Sequence, residues 1–218
     1  MYKKRKKQPP RSNIQILEAK TKNQKEYIRA IVESHIILCD GPSGSGKSFC
    51  ACGIAAEHLH KHKIDQIVIT RPLVCAGRDI GALPGDIREK IHPFLAPMEE
   101  NLQFFLGRDP YANYVSQNRI RYEPLEVMRG ATFHNAYMIL DEAQNCTLDQ
   151  IKMFITRMGQ GSKIIINGDV GQTDLKTRSG LSTCMGKLQD IDGIQIVHLD
   201  FSDIQRNGII GAVLMALE

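Results

Sequence analysis

The chain has 218 residues, of which 42% are hydrophobic and 24% charged, so we expect a globular domain with a sizeable core. No apolar run approaches the roughly 20 residues that span a bilayer, and no apolar segment follows the basic N-terminus as in a secretory signal. Six cysteines without a C-x-x-C pair argue against a zinc site or a disulfide scaffold. These features predict no membrane association and a cytoplasmic location.

The net charge of +4 is concentrated at one end of the chain. Five consecutive basic residues, Lys3 to Lys7, exceed that net charge, so the remainder is close to neutral. Pro9 and Pro10 then separate this segment from the rest. We therefore expect a basic flexible tail at 1–12 and one domain at 13–218. The tail either adds nonspecific nucleic-acid affinity through counterion release or only increases solubility.

Hydrophobic periodicity predicts alternating helices and strands along the chain. Helical spacing at 87–106 contains Pro93 and Pro97, which suggest a break in that helix. Predicted strands lie at 36–40, 66–70, 119–123, 137–141, 163–167 and 194–198. Predicted helices lie at 22–32, 148–158, 179–190 and 208–217. A further predicted helix follows the first glycine-rich loop and runs to about residue 60. Alternation of this kind predicts an α/β fold with a mostly parallel central sheet flanked by helices on both faces.

A phosphate-binding loop of the Walker A form G-x-x-x-x-G-K-[ST] follows the first predicted strand. Its glycines allow the backbone amides to turn inward and form an anion-binding nest. The lysine reaches the β- and γ-phosphates, the last hydroxyl can ligate magnesium, and a helix start adds its dipole. The nucleotide-binding residues are therefore predicted to be Gly41, Pro42, Ser43, Gly44, Ser45, Gly46, Lys47 and Ser48.

Asp141 and Glu142 follow the predicted strand at 137–141 and form a candidate Walker B pair. In phosphate-loop proteins an Asp at this place holds Mg²⁺, so Ser48 and Asp141 are the predicted metal ligands. Glu142 could orient and deprotonate water, which favours hydrolysis over phosphoryl transfer to a small molecule. The pair predicts ATP hydrolysis with Mg²⁺ as the metal.

Three other features have two interpretations each from local sequence. Gln172, in Gly168-Asp169-x-x-Gln172, could contact the γ-phosphate and the attacking water, or the segment could be an ordinary turn. Gln24 fits a capping box with Thr21, in which it would bond back to the Thr21 amide, or it could meet the adenine edge. An arginine at the carboxyl side of the sheet could stabilise phosphoryl charge. Local sequence does not rank the candidates Arg71, Arg129, Arg157, Arg178 and Arg206.

The motif set resembles the PhoH-like ATPases from about Asn23 onward. The resemblance rests on the phosphate loop, Ile69-Thr70-Arg71-Pro72, Leu83-Pro84-Gly85-Asp86, Met128-Arg129-Gly130, Ile139-Leu140-Asp141-Glu142-Ala143-Gln144-Asn145, Thr156-Arg157-Met158-Gly159, and Gly168-Asp169 with Gln172. It implies a three-layer, RecA-like P-loop NTPase fold similar to one motor domain of a superfamily-one helicase.

The resemblance also implies roles that local sequence leaves open. Gln24 would contact adenine, and Gln172 would sense the γ-phosphate. Arg206 would approach that phosphate as a catalytic residue beside Lys47 and Glu142. Arg71 would belong to a segment that faces nucleic acid or couples to it.

These observations predict an ATP-hydrolysing, helicase-like or remodelling enzyme that acts on RNA or single-stranded DNA. A helicase of this class has two motor domains, so one domain is expected to complete its site in a homo-oligomer, such as a hexameric ring. The alternatives are a nucleotide-dependent switch that binds a protein partner and a small-molecule kinase. The short chain suggests a viral source, in which case the location is the host cytoplasm.

Overall fold

The computed structural model describes residues 14–72, 87–173 and 179–204, without the side chains of 87–93. The predicted tail and the predicted helix at 208–217 lie outside the described residues. The described strands are β1 (Ile36–Asp40), β2 (Gln66–Thr70), β3 (Ile120–Tyr122), β4 (Ala136–Leu140), β5 (Lys163–Gly168) and β6 (Ile194–His198). The described α-helices are α1 (Lys22–Glu33), α2 (Lys47–His60), α3 (Ile87–Leu106), α4 (Arg108–Ser116), α5 (Leu148–Ile155) and α6 (Gly180–Leu188).

The sheet is parallel throughout its described strands, in the order β3-β2-β4-β5-β1-β6. Strand β5 lies between β1 and β4, with Asp40 paired to Gly168 and Leu140 to Ile166. This register brings the carboxyl ends of the central strands to one edge of the sheet. Residues that follow those strands therefore lie close together.

Helices cover both faces of the sheet and create two separate apolar cores. One core joins α1, α2, α3 and α4 to side chains such as Ile37, Ile69 and Ile139. The other joins α5 and α6 to side chains such as Leu38, Met138 and Ile166. Alternate residues of each buried strand point to opposite cores, which accounts for their continuous apolar runs.

Local hydrogen bonds set the ends of α1. The Thr21 hydroxyl accepts from the Gln24 amide at 3.1 Å and begins the helix. At the other end, the Lys163 ammonium group donates to the carbonyls of Ile31 at 3.1 Å and Ser34 at 2.7 Å. A cation there also complements the negative end of the helix dipole. Thr21 therefore caps the N-terminus of α1, and Lys163 joins its C-terminal end to β5.

The predicted break in α3 is wrong, because the helix runs without interruption through Pro93 and Pro97. A proline removes one backbone hydrogen bond and tends to bend a helix without always ending it. Helix α3 packs against α2 and buries Met98, Leu102 and Phe105 in the core. Burial of these large side chains offsets the lost hydrogen bonds.

None of the helices in the described ranges combines the length and apolar character needed to cross a bilayer.

Two glycines of α6 should respond in opposite ways to alanine. A methyl group at Gly180 would lie 2.5 Å from the Leu148 amide nitrogen, whereas one at Gly186 meets nothing within 4 Å. We expect Gly180→Ala to lower the free energy of unfolding by about 1–3 kcal/mol or more, because α5 must move. Gly186→Ala should raise it by about 0.5–1 kcal/mol through helix propensity. Urea denaturation would measure both, and equal effects would contradict this packing of α6 on α5.

Candidate functional site

The candidate site is a cleft of about 770 Å³ at the carboxyl edge of the sheet. The segments that follow β1, β2, β4 and β5 all contribute to its lining. Ligands bind in open α/β folds outside the carboxyl ends of the strands, and this volume suits a nucleotide-sized molecule.

The phosphate loop forms the floor of the cleft and leads into α2. Gly46 has φ 96°, a backbone conformation that favours glycine, and a methyl group there would lie 2.9 Å from Nε2 of the Gln24 side chain. The N-cap residue of α2 is Gly46, which has no side chain to cap the helix. Its first amides and its dipole therefore face the cleft as an anion-binding site.

Lys47 is directed across the loop. Its Nζ donates to the carbonyl oxygens of Gly41 at 2.5 Å and Pro42 at 3.0 Å. The Ser45 hydroxyl donates to the same Pro42 carbonyl at 2.8 Å. Phosphate oxygens would be stronger, charge-assisted partners for this ammonium group than neutral carbonyls are.

Ser48 and Asp141, the predicted metal ligands, are in direct contact. The Ser48 hydroxyl donates to Asp141 Oδ1 at 2.8 Å. Both are hard oxygen ligands, and Mg²⁺ usually takes one or two protein oxygens with phosphate oxygens and water. The described residues contain no group of three or more His, Cys, Asp or Glu arranged for a metal. The pair therefore fits magnesium that arrives with a phosphate ligand.

Arg71 also lies in this site. Local sequence does not distinguish it from the other candidate arginines. Its Nε donates to Asp141 Oδ2 at 3.0 Å, and one of its terminal nitrogens also bonds that oxygen. The other terminal nitrogen donates to the Phe94 carbonyl in α3 at 2.6 Å. The feature that points to this contact is the position of Arg71 directly after β2, since β2 lies beside β4. The contact needs the strand order, which local sequence does not give.

Glu142 has a left-handed backbone, with φ 56° and ψ 36°. Its Oε2 accepts from Gln144 Nε2 at 2.7 Å, and Gln144 Oε1 accepts from the Asp169 amide at 3.1 Å. A methyl group at Gly168 would lie 2.9 Å from Gln144 Oε1, so this glycine makes room for the amide. Gln144 thus joins the candidate base to the loop after β5. Gln144 belongs to the segment Asp141 to Asn145, but local sequence does not indicate a role for its side chain.

Gln24 lines the cleft from α1 and is buried. The predicted capping box is wrong in one bond, since Gln24 Oε1 accepts from the Lys20 amide at 2.8 Å instead of the Thr21 amide. Its Nε2 donates to the Ser45 carbonyl at 2.9 Å. The loop and the helix meet here, so one side chain both supports α1 and borders the cleft.

Asp203 is a further residue that sequence reasoning missed. It is fully buried, and its carboxylate accepts from the Thr21 hydroxyl, from Asn23 Nδ2 at 2.9 Å and from the Asp200 amide at 2.7 Å. These bonds fix the 3-10 turn Phe201–Asp203 against the start of α1. A lone Asp after a strand carries no local signal for such a contact.

The remaining predicted residues have different positions. Gln172 lines the cleft, and its backbone amide donates to the backbone carbonyl of Asp169 at 3.0 Å. Arg157 instead donates to the carbonyls of Met153 at 3.2 Å and Ala131 at 3.3 Å. Arg129 does not line the cleft. Arg178 and Arg206 lie outside the described residues.

Among the described residues that line the cleft, Cys50 carries a thiol. Burial is the main cause that raises its pKa to about 12, with a smaller contribution from the negative charge of Asp203. At neutral pH it is a protonated thiol with little nucleophilic character. Chemistry in the cleft therefore falls to the oxygen and nitrogen groups described above.

Backbone strain at Glu142 can be measured by comparing glycine with alanine there. Residues other than glycine lose about 1–2 kcal/mol in the left-handed region, so Glu142→Gly should be about 1 kcal/mol more stable than Glu142→Ala. The matched control is exposed Glu26 within α1, where glycine should be about 1 kcal/mol less stable than alanine. Thermal and urea unfolding of the four variants measure both differences. The same sign at both positions would contradict the left-handed backbone.

The sequence is similar to a family of known proteins along almost its whole length. A family model described as "PhoH-like protein" matches residues 16–218. The chain is 41% identical over 204 residues to a PhoH-like protein of Bacillus subtilis, with 93% of the chain and 64% of that protein covered. It is 39% identical over 206 residues to one from Synechocystis, with 94% and 63% covered. Identity to Protein PhoH of Escherichia coli K12 is 37% over 202 residues, with 91% and 57% covered.

The chain spans less than two thirds of the length of these relatives. Among solved structures, it resembles the large terminase of a thermophilic bacteriophage in complex with ADP, with a TM-score of 0.54 at 14% identity. That match covers 89% of this chain and 48% of the terminase chain. The likeness confirms the predicted three-layer, RecA-like α/β fold. With its sequence matched by the family model over almost its whole length, the chain belongs to the PhoH-like protein family.

Proposed function

We propose that this chain is a Mg²⁺-dependent ATPase domain that works on nucleic acid as a homo-oligomer. The observation that carries the proposal is the convergence of Lys47, Ser48, Asp141 and Glu142 in one cleft. Phosphate-binding amides, a hydroxyl–carboxylate pair and a separate carboxylate are the parts that triphosphate hydrolysis requires. Family membership supports the same proposal.

Each residue has a distinct task in the proposed reaction. The loop amides and Lys47 bind the phosphates. Ser48 and Asp141 would hold Mg²⁺, which would neutralise charge on the phosphate oxygens. Glu142 accepts a proton from water that attacks the γ-phosphorus, and the leaving group is ADP. Gln144 orients Glu142 through its bond to Oε2. We place Gln24 beside the adenine and Gln172 beside the γ-phosphate, because both line the same cleft.

Action on nucleic acid is proposed from the motif resemblance to a helicase motor domain and from the basic residues 3–7. We favour RNA over single-stranded DNA as the strand. Oligomerisation is proposed because an arginine supplied in trans, such as Arg206 of a neighbouring copy, would stabilise the transferred phosphoryl group. Such an arginine contributes about 10³–10⁵ in rate in other phosphate-loop enzymes. The cytoplasm is the proposed location.

A nucleotide-dependent switch is a second candidate, and one contact favours it. Gln144 connects Glu142 to the Asp169 amide, so a change at the γ-phosphate would reach the loop after β5. Val170, in that loop, is 38% exposed and offers an apolar contact to a partner protein. In this case hydrolysis would be slow and would act as a timer.

Substitutions at Lys47 and Glu142 should separate binding from turnover. Lys47→Ala should weaken ATP binding by about 1.5–3 kcal/mol, roughly ten- to a hundred-fold, because a charge-assisted contact is lost. Glu142→Gln should retain binding and lower kcat by about 10²–10⁴-fold, because the proton acceptor is lost. Fluorescent-nucleotide titration and phosphate release measure the two quantities. Exposed Lys61→Ala, at the opposite end of α2, is the control and should change neither. Full turnover by Glu142→Gln would remove Glu142 as the base.

Steady-state hydrolysis at several protein concentrations tests the assembly and the strand. The rate per protomer should rise with protein concentration as the site is completed by a neighbour, and single-stranded RNA should stimulate it more than DNA. A slow rate that is independent of concentration and of either strand would favour the switch. Addition of both strands to the Lys47→Ala variant controls for contaminating ATPases.

A further inference from the structure

Arg71 lies where a divalent cation would approach Asp141. Two of its nitrogens bond Asp141 Oδ2, while the Ser48 hydroxyl bonds Oδ1. Both oxygens of the carboxylate are therefore engaged by the protein itself. The Arg71 side chain is 14% exposed and that of Asp141 is 3% exposed, so the pair is largely removed from water.

The second carboxylate of the Walker B pair also faces this guanidinium. Glu142 Oε1 lies 4.0 Å from an Arg71 terminal nitrogen. Without Arg71, two adjacent carboxylates and a hydroxyl would form a site attractive to any divalent cation. With it, the positive charge opposes entry of a bare cation and occupies the oxygen that the cation needs.

A triphosphate changes this balance because it offers Arg71 another partner. A guanidinium group can bind either a phosphate or a carboxylate in a bidentate geometry. The Arg71 side chain can therefore exchange one anion for the other. That exchange would expose Asp141 Oδ2 when phosphate oxygens arrive to complete the metal's coordination. The bond from Arg71 to the Phe94 carbonyl links the same exchange to α3.

We propose that Arg71 is the resident counter-ion of Asp141, which excludes free divalent cations until a nucleotide enters the cleft. The proposal rests on the proposed Mg²⁺–nucleotide site and adds an order of binding to it. Arg71 acts here as a positioning and selectivity residue that sets when Asp141 becomes a metal ligand.

Binding of Mn²⁺ without nucleotide tests the proposal, since Mn²⁺ prefers the same oxygen ligands and its free ion is quantified by electron paramagnetic resonance. Wild-type protein should bind Mn²⁺ weakly, and Arg71→Gln should bind it about ten-fold or more tightly, a change of about 1.4 kcal/mol. Asp141→Asn added to Arg71→Gln should abolish the gain. Thermal unfolding checks that each variant is folded.

Arg121→Gln provides a matched control. Arg121 also donates two nitrogens to one carboxylate oxygen, Glu123 Oε1, at 2.9 and 2.7 Å, but it lies away from the cleft lining. Its substitution frees a carboxylate without creating the proposed site, so Mn²⁺ affinity should not change. If Arg71→Gln does not fold, Arg71→Lys is the alternative variant. Lysine keeps the positive charge but lacks the bidentate geometry, so we expect a smaller gain in Mn²⁺ affinity.

Two results would overturn the proposal: tight Mn²⁺ binding by the wild-type protein without nucleotide, or no gain in a folded Arg71 variant. A parallel titration with Mn²⁺ and a non-hydrolysable ATP analogue separates this failure from failure of the proposed function. If the wild-type protein binds neither the analogue nor Mn²⁺ with it, the nucleotide site itself is wrong. If it binds the analogue yet also binds Mn²⁺ alone, only the counter-ion role of Arg71 is wrong.

Discussion

The parallel pairing of β1, β5 and β4 is the constraint on which the cleft depends. Because β5 lies between the strands that carry the phosphate loop and Asp141, the Asp169 amide comes within reach of Gln144. A slip of one residue in either pairing would turn buried side chains toward the opposite core. The two apolar cores therefore fix the register, and the register fixes the distances between candidate site residues that belong to different loops.

Several polar groups that line the cleft are bonded to one another. Lys47 bonds loop carbonyls, Asp141 bonds Ser48 and Arg71, and Glu142 bonds Gln144. Buried polar groups without partners are costly, so this internal pairing stabilises the lining of the cleft. A phosphate ligand bound as we propose would replace some of these bonds, and the net free energy of binding would depend on how much stronger its charged contacts are.

Sequence predicts those parts of the candidate site that are contiguous in the chain. The strands at 36–40 and 66–70 and the eight-residue loop were located closely, because apolar runs end there in glycine or polar residues. It did not predict the contact between Arg71 and Asp141, which are 70 residues apart and meet only because β2 lies beside β4. Nor did it predict the continuity of α3, since a proline signal is local and burial against α2 is not.

The hydrogen bond between Thr21 and Asp203 has a consequence for synthesis of the protein. These residues are 182 positions apart, so the contact can form only after nearly all of the chain described here has left the ribosome. Asp203 fastens the start of α1, and Gln24 of that helix supports the phosphate loop through Ser45. A nascent chain can thus pair its first strands early. The contact of α1 with Asp203, which holds one side of the cleft in place, cannot form until translation has passed β6. Nucleotide is therefore expected to stabilise the finished domain much more than the growing one.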